Sequence, residues 1–135
     1  MKAPKFSYVR AESVEHALEL LDEHGEDGRI LAGGQSLMPT LNMRLSQPEI
    51  LIDINRLDVL KGISLDGDIV CIGALTRHVE VLNSEIIAEH LPLIAEAMPH
   101  VAHVAIRNRG TIGGSVAMAD PAAEMPACIL ALGAT

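Results

Sequence analysis

The chain has 135 residues, enough for one domain or for two small lobes of one. Apolar residues make up 49% of it but aromatics only 1%, so a core has to be built from Leu, Ile, Val, Ala and Met. The formal net charge of −8 argues against nucleic acid or an anionic membrane as a partner, and no apolar run approaches the roughly 20 residues that span a bilayer.

The N-terminal half alternates strands and helices. Residues 6–10 predict a short strand. Ser13 is placed to cap a helix with Glu15 in its first turn, and Val14, Ala17, Leu18 and Leu21 fall on one face of it. Gly25 stops that helix as a glycine just past the last turn does. Residues 29–32 predict a strand entering Ala32-Gly33-Gly34-Gln35-Ser36-Leu37, and residues 36–45 a short helix starting in that loop. Pro48 precedes a strand over 50–54. This β-α-β-(α)-β run predicts a small mixed or parallel lobe over residues 1–56.

A second unit, residues 57–135, starts differently. Two apolar stretches, 63–65 and 69–72, flank Asp66-Gly67, which is a hairpin signal. Thr76 is a candidate N-cap for a helix carrying Val79 and Leu82. Residues 91–98 predict a helix with Pro92 in its first turn. Residues 110–116 cross a second glycine-rich loop, Thr111-Ile112-Gly113-Gly114-Ser115, and residues 122–132 form a last helix with Glu124 early in it. No repeat, low-complexity tract or long linker interrupts the chain.

The two glycine pairs carry the chemistry. Without Cβ atoms, backbone N–H groups can come close to a ligand or take positive φ, and a concave array of such donors suits a phosphate or pyrophosphate. Either pair alone also reads as a tight turn. The Walker-type loop with its lysine is absent, and so is a G-x-G-x-x-G opening a helix, which disfavours a P-loop NTPase and a Rossmann dinucleotide fold. Cys71 and Cys128 lack CxxC spacing and sit in apolar runs, which predicts buried free thiols in a reducing compartment. With no apolar leader in Met-Lys-Ala-Pro-Lys-Phe, this predicts a cytoplasmic location.

The run Leu31-Ala-Gly-Gly-Gln-Ser-Leu-Met-Pro39, then Ile72-Gly-Ala-Leu-Thr-Arg-His78, then Asn108-Arg-Gly-Thr-Ile-Gly-Gly-Ser-Val-Ala-Met-Ala-Asp-Pro-Ala-Ala-Glu-Met-Pro126 resembles the FAD-binding medium subunits of the molybdenum hydroxylases. That family includes aerobic carbon monoxide dehydrogenase and xanthine dehydrogenase, and the likeness runs from Phe6 to the end. It implies an α+β, two-lobed FAD-binding domain of the CO dehydrogenase flavoprotein type: a small α/β lobe and an incomplete second α+β lobe. It implies FAD as cofactor, a molybdenum-cofactor large subunit and a 2Fe-2S small subunit as partners, and electron transfer from the iron–sulfur clusters through FAD to an external acceptor. The isoalloxazine does the redox chemistry, so no catalytic acid, base or nucleophile is assigned.

Residue by residue, the resemblance implies that Ala32, Gly33, Gly34, Gln35, Ser36 and Leu37 wrap the pyrophosphate. Thr111, Gly113, Gly114 and Ser115 close over the phosphates or the adjoining ribose and ribitol, and Glu124 accepts from flavin hydroxyls. The chain departs from the family where Ser115 replaces a common asparagine and Met118 a common histidine or threonine. Family members run well beyond Thr135. The missing part is expected to leave sheet edges and apolar helix faces uncovered and to favour self-association. Two other readings stay open: a fragment of the same fold that does not bind FAD alone, and a module for another phosphate-bearing ligand.

Outside the loops, Asp120 reads either as a ligand contact or as a cap of the last helix. His100 and His103, three apart, lack a third metal ligand and read as ordinary histidines. Arg107 and Arg109 either steer a diphosphate or pair with carboxylates, the latter favoured for one of them. His78 lies near the cofactor or on a helix surface. Met38, Met43, Met98, Met118 and Met125 read as core or interface fillers.

Overall fold

The computed structural model describes residues 2–135; Met1, the first residue of the predicted N-terminal lobe, lies outside them. The chain divides into two compact units, one ending at Asp58 and the other beginning at Val59.

The first unit is a three-stranded parallel sheet with helices in its crossovers. Strand β1 (Ser7–Arg10) leads into helix α1 (Val14–His24), then β2 (Gly28–Leu31), helix α2 (Leu37–Asn42) and β3 (Ile50–Asp53). Both outer strands run parallel to β3, in the order β1-β3-β2. The central strand is the apolar Ile-Leu-Ile run that a strand covered on both faces needs, and Leu51 and Ile52 are buried in it with Leu41, Ala17, Ala11 and Leu57 around them. Helix α1 begins as expected, with Ser13 Oγ accepting from the His16 N–H at 3.1 Å. It ends on Gly25, whose φ of +50° favours glycine and whose N–H reaches the Leu21 carbonyl. The strand register places Arg10, Asp53 and Leu31 side by side, so the carboxyl ends of all three strands share one edge. The first glycine loop leaves from that edge.

The second unit joins an antiparallel hairpin to a cluster of short helices. Strands β4 (Ile63–Asp66) and β5 (Ile69–Ile72) pair with Asp66 opposite Ile69, so the turn residues are Gly67 and Asp68, one position later than Asp66-Gly67 suggested. Gly67 has φ +59° at the first of these, where a tight hairpin turn favours glycine. Helices α3 (His78–Leu82), α4 (Glu85–His90), α5 (Pro92–Ala97), α6 (Val104–Arg107), α7 (Ile112–Met118) and α8 (Glu124–Leu132) follow. Their core is Val81, Ile87, Ile94, Met98, Val101, Ile112, Met125 and Cys128. Burying each such aliphatic or thioether side chain contributes about 1.5–3 kcal/mol. Among the described residues no helix is long and apolar enough to cross a membrane.

Several sequence expectations are corrected here. Residues 112–116, expected within a loop, are helical, and the second glycine pair lies in the first turn of α7. Helix α3 starts one residue later than proposed, with Arg77 at its N-cap and the Glu80 carboxylate accepting from the Arg77 N–H at 2.6 Å. Thr76 is buried instead. Its hydroxyl accepts from the Gly62 N–H at 3.0 Å and donates to the Gly62 carbonyl at 2.9 Å. Cys71 is exposed on β5, whereas Cys128 is buried. Met98 and Met125 fill the core, while Met43 and Met118 are exposed. Asp120 does not cap α8, which has Ala123 at its N-cap; its Oδ1 accepts from the Ala122 N–H, a local turn contact.

Candidate functional site

The first glycine loop grows out of β2 at the carboxyl edge of the sheet, where open parallel sheets commonly place their ligands. Gly34 has φ +71°, and a Cβ built there would lie 3.1 Å from Leu31 Cδ1. The Gln35 amide folds back, Nε2 donating to the Gly33 carbonyl at 2.9 Å. The Met38 N–H bonds the Gly34 carbonyl and the Thr40 N–H the Ser36 carbonyl, so the first turn of α2 is fixed. Among the described residues, the main-chain N–H groups of Gly33, Gly34, Gln35, Ser36 and Leu37 have no acceptor. Gly33 is buried and Ser36 exposed; Ala32, Gly34, Gln35 and Leu37 are half-buried.

Two residues that the sequence did not single out hold this loop. Asn55 Nδ2 donates to the Ala32 carbonyl at 2.8 Å and lies 3.2 Å from the Leu31 carbonyl. It also lies 2.7 Å from Asp53 Oδ1, which accepts the Asn55 main-chain N–H at 2.8 Å. The Tyr8 hydroxyl donates to Asp53 Oδ2, and Arg10 Nε stands 3.8 Å from the same oxygen. Burial pushes the Asp53 carboxyl up. The hydrogen bonds from Tyr8 and Asn55, with the Arg10 charge, outweigh that and hold it below the ordinary carboxylate value. A lone carboxylate closing an apolar strand was the available signal, because such a group is buried only when paired.

In the second unit the main-chain amides of the glycine pair are engaged within the unit itself. The Ile112 N–H donates to the Thr76 carbonyl at 3.1 Å and the Gly113 N–H to the Ala74 carbonyl at 2.9 Å. The Gly114 N–H is capped by Thr111 Oγ1 at 3.1 Å, and the Ser115 N–H reaches the Thr111 carbonyl at 3.0 Å. Thr111 is buried as the N-cap of α7. A Cβ on Gly113 would lie 2.6 Å from Ala74 Cβ, and one on Gly114 would lie 2.7 Å from Thr111 Oγ1. These glycines let α7 lie against residues 74–76 and leave no free amide between 112 and 115 for a ligand. Ser115 is half-buried, and among the described residues its hydroxyl forms no hydrogen bond; Glu124 opens α8, also half-buried.

His78 is on neither a helix surface nor a polar contact. It is buried, and among the described residues both ring nitrogens lack hydrogen-bond partners. Its ring faces Gly110, where a Cβ would come within 3.0 Å of Nδ1. Burial pushes its pKa below the ordinary histidine value. The approach of the Thr111 main chain and the Glu124 carboxylate oppose that shift, and the Arg107 guanidinium reinforces it. Arg107 binds main-chain carbonyls rather than carboxylates: its Nη1 lies 2.8 Å from Val101 O, 3.1 Å from Ala102 O and 3.3 Å from Pro99 O. His100 and His103 are exposed, and among the described residues no three His, Cys, Asp or Glu side chains are grouped to hold a metal.

Comparison with known proteins decides the family. The family described as FAD binding domain in molybdopterin dehydrogenase matches residues 4–135. The chain belongs to this family. It is 54% identical over 134 residues to the alpha subunit of the 6-hydroxypseudooxynicotine dehydrogenase complex of Paenarthrobacter nicotinovorans, covering 99% of this chain and 45% of that protein. It is 45% identical over 132 residues to the carbon monoxide dehydrogenase medium chain of Hydrogenophaga pseudoflava, covering 98% and 46%. The solved structure of carbon monoxide dehydrogenase from Hydrogenophaga pseudoflava, which lacks the Mo-pyranopterin moiety, superposes with a TM-score of 0.92 at 46% identity, covering 94% of this chain and 44% of that one. A cyanide-inactivated Cu,Mo-CO dehydrogenase gives 0.95 at 42% identity, covering 98% and 46%. The α+β architecture is therefore that of the FAD-binding domain family. The chain spans less than half the length of these relatives.

Proposed function

We propose that this chain is the FAD-holding, electron-transfer part of a molybdenum-containing dehydrogenase, working with a molybdenum-cofactor large subunit and a 2Fe-2S small subunit. The observation that carries the reading is the run of five main-chain N–H groups, Gly33 to Leu37, without acceptors among the described residues, around a positive-φ glycine at the carboxyl edge of a parallel sheet. Such a run fits a diphosphate, because each donor brings a fixed partial positive charge without the reorganisation a lysine would need. In this reading Ala32, Gly33, Gly34, Gln35, Ser36 and Leu37 hold the diphosphate. From the second unit, the Ser115 hydroxyl and the Glu124 carboxylate contact the cofactor in this reading. Thr111, Gly113 and Gly114 support them by fixing the start of α7. When bound, FAD supplies the redox chemistry; the chain binds and orients it.

A second reading is favoured by the engagement of every amide from 112 to 115 inside its own unit: the isolated chain keeps the fold and does not hold FAD. Calorimetric titration with FAD separates the two. Saturable binding that is lost in Gly34→Val and weakened in Glu124→Ala is the expected result. A folded chain that takes up no FAD would move the binding function to a longer polypeptide or the assembled complex.

A further inference from the structure

We infer that Asn55 is a positioning residue that clamps the first glycine loop into its ligand-ready form, with Asp53 and Tyr8 as its anchor. The inference rests on the FAD reading above for the identity of the ligand, but not for the loop's order. A primary amide has two N–H bonds. The Asn55 Nδ2 group lies 2.7 Å from Asp53 Oδ1, 2.8 Å from the Ala32 carbonyl and 3.2 Å from the Leu31 carbonyl. One proton is therefore directed to the carboxylate and the other is shared between two successive carbonyls of the loop's entrance. The Ala32 carbonyl shares a peptide plane with the Gly33 N–H, the first of the five acceptor-free amides, so fixing that carbonyl fixes the direction of that donor.

The anchor is built to be stiff. Asp53 is buried at the end of the central strand, level with Leu31 on β2 and Arg10 on β1. Its Oδ1 accepts twice from Asn55, from the main chain and from the side chain, which locks the Asn55 rotamer. Its Oδ2 is held by Tyr8, whose hydroxyl also accepts from Arg10 Nη2 at 3.2 Å. Charge-assisted bonds of this kind are the stronger ones. The Leu31 carbonyl meanwhile accepts the Ile54 N–H at 3.1 Å, so the same short segment is tied from the backbone and from the side chain. A group that touches only the scaffold of a binding loop acts on affinity through order, by lowering the entropy the loop loses when it closes on a ligand.

The test combines amide exchange with FAD titration on Asn55→Ala and Asn55→Gln. The amides to follow are Met38 and Ile54, which bond loop carbonyls, with the α1 amides as a control on the fold. Expected for Asn55→Ala is faster exchange at Met38 and Ile54, unchanged α1 protection, and FAD affinity weaker by about tenfold or more. Asn55→Gln, which keeps the amide on a longer stem, recovers part of both. Unchanged exchange at Met38 and Ile54, or FAD affinity equal to the parent chain, overturns the inference. So does loss of α1 protection in step with the loop, because Asn55 would then be supporting the whole unit. A parent chain that takes no FAD bears on the FAD reading of the isolated chain instead, and the exchange measurement still decides whether Asn55 orders the loop.

Discussion

At the scale of single residues, the buried polar groups separate into two kinds. Asp53 is buried with partners on both oxygens, and His78 is buried with none on either nitrogen. Both depart downward from their ordinary pKa values, Asp53 through its partners and His78 through burial, with opposite consequences for charge. A histidine with a lowered folded-state pKa takes up less proton than the unfolded chain in the window below roughly 6.5. Stability is therefore full above that window, falls as the pH drops through it, and levels off below the folded-state value. The Glu124 carboxylate and the Arg107 guanidinium are the charges that face the ring, and they act in opposite directions. His78→Leu, of similar volume and without titrating nitrogens, is expected to flatten this part of the stability profile. Urea midpoints measured on both sides of the window decide it. A profile identical to that of the parent would mean that His78 gains a proton freely in the folded state. The Asp53 window lies well below this one, because its partners defend the charged form to more acid pH.

At the scale of elements, the two glycine pairs look alike in sequence and differ in the structure. The first is a loop with free amides. The second is the start of a helix whose amides are engaged by Ala74, Thr76 and Thr111. This sets the tolerance of each site. Gly113→Ala would drive a Cβ into the Ala74 side chain and carbonyl, 2.6 and 2.7 Å away, and overpacking of that sort costs about 1–3 kcal/mol. Gly114→Ala meets only the capping hydroxyl, at 2.7 Å. There the loss of a cap, about 1 kcal/mol, is partly offset by the better helix propensity of alanine. Thermal unfolding should rank Gly113→Ala clearly below Gly114→Ala; the reverse order would contradict the packing described for α7. The comparison also explains which elements the sequence reveals. The N-terminal lobe was legible because α1 carries its own start and stop signals in Ser13 and Gly25, and β3 is an unbroken apolar run. Helix α7 was not, because a glycine pair lowers helix propensity by about 1 kcal/mol per residue, and the compensation comes from the Ala74 and Thr76 carbonyls far earlier in the chain. Exposed Cys71 misleads for a related reason: β5 reads as a buried strand, yet one face of the hairpin is open. In the site itself, the glycine loop was visible as a motif. The Asp53–Asn55 clamp was not, since its effect depends on a parallel register that only the folded sheet creates.

At the scale of the whole molecule, two features oppose each other. The chain carries a formal net charge of −8, which keeps copies apart. It also exposes large apolar side chains in both units, among them Leu45 at 72%, Val59 at 79% and Leu130 at 82% of their full accessibility. Scattered apolar residues are ordinary on a surface, but Val116, Met118, Leu130 and Leu132 are all exposed on two consecutive helices, α7 and α8, that pack on each other. The balance between repulsion and apolar contact is set by ionic strength, because salt shortens the reach of charge to about 8–10 Å and leaves burial of apolar surface almost untouched. We therefore expect self-association that grows with both protein concentration and added salt. Sedimentation velocity at low and high sodium chloride is the measurement. If acidic repulsion is the restraint, the weight-average mass rises with salt. If association were held together by ion pairs instead, it would fall. Leu130→Glu should suppress the rise, since it adds charge to the exposed face of α8 and removes an apolar side chain that is largely outside the core. A species that stays monomeric across the whole range would mean that its apolar residues are too dispersed to form a contact even when charge repulsion is screened.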